Sequence, residues 1–242
     1  MRSELRKTLR VSATICGVLM ACTILTKSVA QNPEMQEKVA EAKEAAARNK
    51  QALAQYSWVE QVTISLKGEQ KKQEHFQVRL GPDGKPQKTS MDSPPAAESG
   101  KHEGRLKEHV VEKKKEEYKE YADQIKALIE QYVPPDREML GQAYQKGNIM
   151  VGPQPGASEQ YRLVISNYIK QGDNMTLVMD KAQKDLVSLS IATYLDDPKD
   201  AVNVNVQFSA IPDGPNHVSS ETINGVSKQL TIAIQNSNYQ RM

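Results

Sequence analysis

Cysteine is nearly missing from this chain of 242 residues: there are two, Cys16 and Cys22, both within the first thirty positions. Beyond them no thiol exists, which excludes disulfide frameworks and thiol chemistry from the rest of the chain in any compartment. Phenylalanine and tryptophan are scarce, at two and one, against nine tyrosines. Neither sign of charge dominates, with 32 Lys and Arg against 30 Asp and Glu, so nothing electrostatic draws the chain to nucleic acid. Also missing are a glycine-rich phosphate loop, a G-x-S-x-G elbow and an H-E-x-x-H pair. His102 and His109 stand seven apart, a poor spacing for one helix face, and read as solvated rather than metal-bound. The acidic turn of Asp196, Asp197 and Asp200 lacks the glycine and terminal glutamate of a calcium loop. The chain therefore reads as a non-enzyme with no cofactor and no metal. A Ser–His–Asp site assembled from distant positions is defined by geometry and would leave no trace here.

What is present starts with an address. Arg2, Arg6, Lys7 and Arg10 precede a mostly apolar or small run from Val11 to Thr26, and Ser28 and Ala30 supply small residues for a cut between Ala30 and Gln31. The run is shorter than the roughly 20 apolar residues of a membrane span. Residues 1–30 are thus expected to be a cleavable signal peptide, and the protein to be periplasmic or secreted. A competing pattern, Leu19-Met20-Ala21-Cys22, resembles the signal of bacterial lipoproteins, with Met20 departing from it, and would anchor the protein to a membrane by lipid at Cys22. Removing the signal takes away five basic residues and one acidic, which leaves 27 against 29, a net charge of −2.

Residues 31–242 suit a single domain. Asn32-Pro33-Glu34 is a helix start, and the helix should run to about Ala54 with a thin, alanine-rich stripe. Two alternating strands follow, at 57–67 and 75–80, joined by a polar loop from Gly68 to Gln73. Their apolar side carries Val62, Ile64 and Leu66 with Phe76, Val78 and Leu80, and Glu60 interrupts it. Lys85 to Gly104 shows no apolar period and reads as a mobile loop. The longest helix, about Arg105 to Tyr132, has a stripe of Leu106, Val110, Tyr118, Tyr121, Ile125, Leu128 and Tyr132. Val133-Pro134-Pro135-Asp136 ends it and starts a short helix to about Lys146, and Gly152 to Gly156 reads as a loop. Six strands complete the chain, at 161–170, 174–181, 185–195, 201–209, 217–224 and 228–235, separated by short turns that demand antiparallel pairing. The expected architecture is α+β: an antiparallel sheet of about eight strands, open to curvature into a half-barrel, packed on the long helix and the N-terminal helix.

The order of signal, helix, strands, inserted long helix and strand meander, with Tyr56-Ser57-Trp58 entering the first strand and Gly81-Pro82-Asp83-Gly84-Lys85-Pro86 after the second, resembles the LolA/RseB-like family of bacterial envelope proteins. That resemblance implies a curved, half-closed sheet wrapped around helices, and a protein that binds a lipid, a lipoprotein or a signalling partner. Two functions follow. In one, a hydrophobic ligand lies in a groove between helices and sheet, lined by Trp58, Tyr118, Tyr121, Tyr132, Met175 and Met179. In the other, those residues are ordinary core, the helices fill the concavity, and the protein is an envelope scaffold or sensor working through protein contacts.

Overall fold

The computed structural model describes residues 48–92 and 105–242. The signal peptide, its cut between Ala30 and Gln31, Cys22 and most of the expected N-terminal helix lie outside the described residues, as does the loop sequence from 93 to 104. Helical residues 48–53 (α1) lead into β1 (Tyr56–Leu66), β2 (Glu69–Leu80) and β3 (Pro86–Ser90). Two helices follow, α2 (Arg105–Tyr132) and α3 (Arg137–Gln145). The chain ends in β4 (Ile149–Gln154), β5 (Ala157–Ser166), β6 (Asn174–Asp180), β7 (Leu186–Tyr194), β8 (Ala201–Ala210), β9 (Asn216–Gly225) and β10 (Leu230–Arg241).

All ten strands form one antiparallel sheet in the order β3-β2-β1-β10-β9-β8-β7-β6-β5-β4. The sheet does not close, and β3 and β4 are its edges. The expectation of eight strands is corrected to ten by these two edges. Residues 86–90, read as part of a mobile loop, pair with β2 from Leu80↔Pro86 to Phe76↔Ser90. Residues 152–154, read as loop, belong with 149–151 to a strand that pairs with β5. The polar stretch from Gly68 to Gln73 is no loop either. Lys67 and Gly68 alone turn the chain, with φ of 53° and 79°, and β2 starts at Glu69. Two consecutive positive φ values make the tight turn whose twist matches a hairpin.

Since β3 and β4 lie at opposite edges, the α2–α3 segment must cross the whole sheet. Ten strands span about 43 Å at the usual spacing. The 28 residues of α2 are about 42 Å long, so α2 is long enough to supply most of the crossing. Its contacts fix the route. Gly225, at the end of β9, lies against Tyr121 and Ile125, while Tyr132 meets Asp173 and Thr193 beside β6 and β7. These points all belong to the same end of the strands, so α2 lies across the half of the sheet nearest that end. The sheet face beneath it is called the inner face below.

The inner face is built by alternation. Val202, Val204 and Val206 of β8 are fully buried and Phe208 nearly so, while the alternating Asn205 and Gln207 are exposed. Tyr121, Ile125, Leu128, Ile129 and Tyr132 of α2 join Val62, Ile165, Met175, Leu189, Ile191, Ile223, Ile232 and Ile234 in the main core. At about 25 cal/mol per Å² of buried apolar surface, each such side chain contributes roughly 1.5–3 kcal/mol. A second, smaller core of Leu53, Trp58, Val78 and Leu80 ties α1 to β1 and β2. The apolar side of β1 and β2 is therefore shared: Val62 belongs to the main core, whereas Val78 and Leu80 pack with Leu53.

Candidate functional site: the inner face of the sheet

The six residues expected to line a groove do not gather in one place. Trp58 belongs to the small core, with its ring stacked on Tyr239 at 5.5 Å. Tyr121, Tyr132 and Met175 belong to the main core. Tyr118 and Met179 are half-buried, and the Tyr161 hydroxyl donates to Met179 Sδ at 3.2 Å.

The tyrosine hydroxyls of α2 are held by the protein itself. Tyr121 donates to Asp200 Oδ1 at 2.6 Å and accepts from Ser227 Oγ at 3.1 Å. Tyr132 donates to Asp173 Oδ2 at 2.6 Å, and Thr193 Oγ1 stands 2.7 Å from the same hydroxyl. Burial first, and the Asp173 carboxylate second, hold the Tyr132 hydroxyl well above its ordinary pKa. Asp173 is buried and also accepts from the backbone N–H groups of Tyr168, Ile169 and Lys170 at 2.6–2.9 Å. One carboxylate thus closes the β5–β6 turn and fastens the end of α2 to it. The start of α3 is fixed in the same corner: Asp136 caps Glu138 and Met139 at 2.9 Å, and its own N–H donates to the Tyr168 hydroxyl at 2.6 Å. Burial pushes the Tyr168 hydroxyl up to about 12. This corner is structural: every group in it is used.

Away from α2, toward the opposite strand ends, the inner face changes character along its width. On the β4–β7 side it is apolar and incompletely covered. Leu163, Met179 and Leu186 are half-buried, and Val151, which pairs with Leu163, is 65% exposed. On the β3–β9 side it carries charge. Glu60 of β1 is 3% exposed and forms an ion pair with Lys88 of β3. Asn236 of β10 lies directly opposite Glu60, and Glu221 of β9 lies opposite Ile234. Glu221 is 2% exposed, and its Oε1 has no hydrogen-bond partner among the described residues. The same holds for Asn236 Oδ1 and for the indole N–H of Trp58. Burial chiefly, and the neighbouring Glu60 next, raise the Glu221 carboxyl to about 8, against the opposing pull of Lys88.

Sequence reasoning catches one member of this group: Glu60 breaks the apolar side of an otherwise regular strand. Glu221 and Lys88 escape it. Glu221 sits among Ser and Thr where neither face is plainly apolar, and Lys88 lies in the stretch read as loop.

A separate cleft of about 450 Å³ opens where α1 meets the strand ends, lined in part by Arg48, Asn49, Gln55, Asp185 and Arg241. Asn49 fixes its wall by exchanging two hydrogen bonds with the backbone of Asn216. Among the described residues no group of three His, Cys, Asp or Glu side chains could hold a metal ion. No helix among them is long and apolar enough to cross a membrane.

No family model and no curated protein matches the chain. Two solved structures are similar to it. A DUF1329 family protein from Desulfovibrio piger shares 14% identity at a TM-score of 0.40, over 82% of this chain and 90% of that one. A LolA superfamily protein from Nitrosomonas europaea shares 7% identity at a TM-score of 0.36, over 83% of this chain and 93% of that one. Neither likeness is close enough to assign a family or a ligand.

Proposed function

We propose that this is an exported, non-enzymatic binding protein that holds the apolar part of a lipid, a lipoprotein or a similar ligand against the inner face of its sheet. The uneven cover of that face carries the reading. Under α2 the inner face is sealed, with Val202, Val204 and Val206 at 0% exposure. The same face continues as apolar surface across β4–β7, where Leu163, Met179 and Leu186 are only half-buried. Apolar lining beside a rigid, packed wall is what an apolar ligand requires. The tyrosines of α2 serve as that wall, since their hydroxyls already have partners. Export rests on the basic and apolar start of the chain and on Ser28 and Ala30, with lipid attachment at Cys22 the competing route to the envelope.

A second reading is favoured by the β4 edge. Met150 and Val151 are 63% and 65% exposed, and Tyr144 of α3, nearby in sequence, is 54% exposed. An edge strand with apolar side chains can add a strand from another protein, the contact a scaffold or sensor would use.

Native mass spectrometry separates these readings, with the protein expressed with its own signal and extracted gently from the envelope fraction. The expected result is a polypeptide that begins at Gln31 and carries an acyl-chain mass. A bare polypeptide that also fails to bind a fluorescent dodecyl probe would overturn the carrier reading and leave the edge-strand reading standing.

A further inference from the structure

The two edges of the sheet are unlike each other. We infer that β4 is a self-complementary edge, which pairs antiparallel with β4 of a second copy of this chain across a two-fold axis at Val151. This rests on the edge-strand reading above and commits it to one partner.

The backbone sets the register. The Ser166 N–H donates to the Asn148 carbonyl at 2.9 Å, in line with the pairing of Ile149 and Ile165. Backbone groups alternate in direction along an antiparallel ladder, so 148, 150 and 152 point theirs at β5. Ile149, Val151 and Pro153 point theirs away from the sheet, where no strand among the described residues pairs with them. Pro153 fits this assignment, since proline sits in an edge strand with its missing N–H outward. The opposite edge is guarded. β3 has five residues and opens on Pro86, and the part of β2 beyond it carries Glu69, Lys71, Lys72 and Glu74. β4 has no charged residue. Charge at one edge and none at the other disfavours pairing through β2 and β3 and directs it to β4.

The side chains point to a second copy. An axis at Val151 sets Val151 opposite Val151 of the second copy, and Met150 opposite its Gly152. Val151 and Met150 are 65% and 63% exposed. Gly152 has no reason within its own chain to be glycine. Its φ is not positive, and a Cβ there would meet nothing within 4 Å. Glycine inside a strand often marks the close approach of another chain, and Met150 of the second copy takes up the room beside it. Arg162 faces Gly152 from β5. The two copies of Arg162 stand three strand spacings apart, about 14 Å, beyond the screening length of about 8 Å. The two Val151 residues exchange two backbone bonds, and each Ile149 N–H donates to the opposite Pro153 carbonyl, about four bonds in all. So small a contact belongs with the weak interfaces below about 1,200 Å², and the dimer forms and parts with concentration. The axis stands perpendicular to the sheet, so the inner face of one copy runs on into that of the other. The open apolar surfaces beside the two β4 strands become one.

The test uses protein that begins at Gln31, which contains no cysteine. Sedimentation equilibrium should show a monomer that dimerises as concentration rises. Val151→Lys sets two ammonium groups directly opposite each other and should weaken the dimer at least about tenfold. Its unfolding midpoint should not change, because the side chain is already exposed. Val151→Cys should crosslink under mild oxidation, since a hydrogen-bonded pair stands about 5.5 Å apart at Cα, within disulfide reach. Met150→Cys would stand about 8 Å from its copy and should crosslink far more slowly. The Ile149 and Val151 amides should exchange fast in dilute protein and slow down as the dimer forms. A dimer that Val151→Lys leaves intact, or equal crosslinking of the two cysteine variants, would overturn the proposed axis. A monomer at every concentration, with fast exchange at Ile149 and Val151, would overturn the second copy and leave the edge to a strand of another protein. A monomer in which both amides exchange slowly would overturn the edge-strand reading as well, because the chain would already cover its own edge.

Discussion

Glu221 shows how one side chain can set the pH response of a fold. Its carboxyl has an ordinary value of 4.5 and is raised to about 8 in the folded chain. The folded state therefore holds a proton between these values that the unfolded state has lost. With more protons bound in the native state, stability falls as pH rises. Its contribution is complete below 4.5, declines through the interval and is gone above about 8. Glu60 from β1 and Lys88 from β3 are the charged groups that face it. Chemical denaturation at about pH 5 and about pH 9 should show the unaltered protein losing stability at the higher pH, and Glu221→Gln losing markedly less. Parallel losses in the two proteins would mean that Glu221 titrates normally and is not closed off from water. Glu60 was visible in the sequence as the charge that spoils an apolar alternation. Glu221 was not, because its face is decided by pairing with Ile234 and Val206, which the sequence does not display.

The elements differ in how plainly they announce themselves, and the reason is burial. The long helix falls on the bounds that its apolar stripe and the following prolines set, residues 105 and 132. From Tyr121 to Tyr132 it touches the core, and selection for that contact writes a period into the sequence. The last six strands are legible for the same reason. Strands β3 and β4 are not. Pro86-Gln87-Lys88-Thr89-Ser90 has no apolar face, and β4 contains Gly152 and Pro153, residues that usually break a strand. An edge strand is held by one ladder of backbone bonds and can spare its side chains for solvent. The meeting of α2 and the sheet turns on a missing side chain. A Cβ on Gly225 would stand 2.6 Å from Tyr121 Cε1 and 2.7 Å from Ile125 Cδ1. Gly225→Ala should therefore lower stability by roughly 1–3 kcal/mol, although β9 is a strand in which alanine is otherwise acceptable. Thermal unfolding of the variant measures it, and an unchanged midpoint would show that α2 does not rest on β9 as described.

At the scale of the molecule, strand order predicts a gradient. β9 and β8 occupy the middle of the sheet and carry fully buried residues, whereas β3 and β4 have one neighbour each. Amide hydrogen exchange should be slowest in β8 and β9 and fastest in β3 and β4, with β2 and β5 between. Uniform protection from edge to edge would contradict a single open sheet. Ligand bound on the inner face should slow exchange on β5 and β6 relative to the free protein and leave β3 unchanged, since the apolar surface lies under those two strands.

The strand order also brings Tyr56 beside Arg241 and Leu66 beside Leu230. β1 therefore waits for β10, which follows it by more than 160 residues. A chain delivered from its N-terminus first can assemble β1, β2 and β3 only as a small meander with one naked flank. β4 to β9 can meanwhile line up, but they too lack the strand that joins the two halves. Completion comes when residues 230–241 arrive and fill the central gap, so β10 is the strand that latches the two halves together. Such a chain stays threadable for as long as its tail is withheld, and any truncation of that tail leaves two unjoined half-sheets with sticky edges.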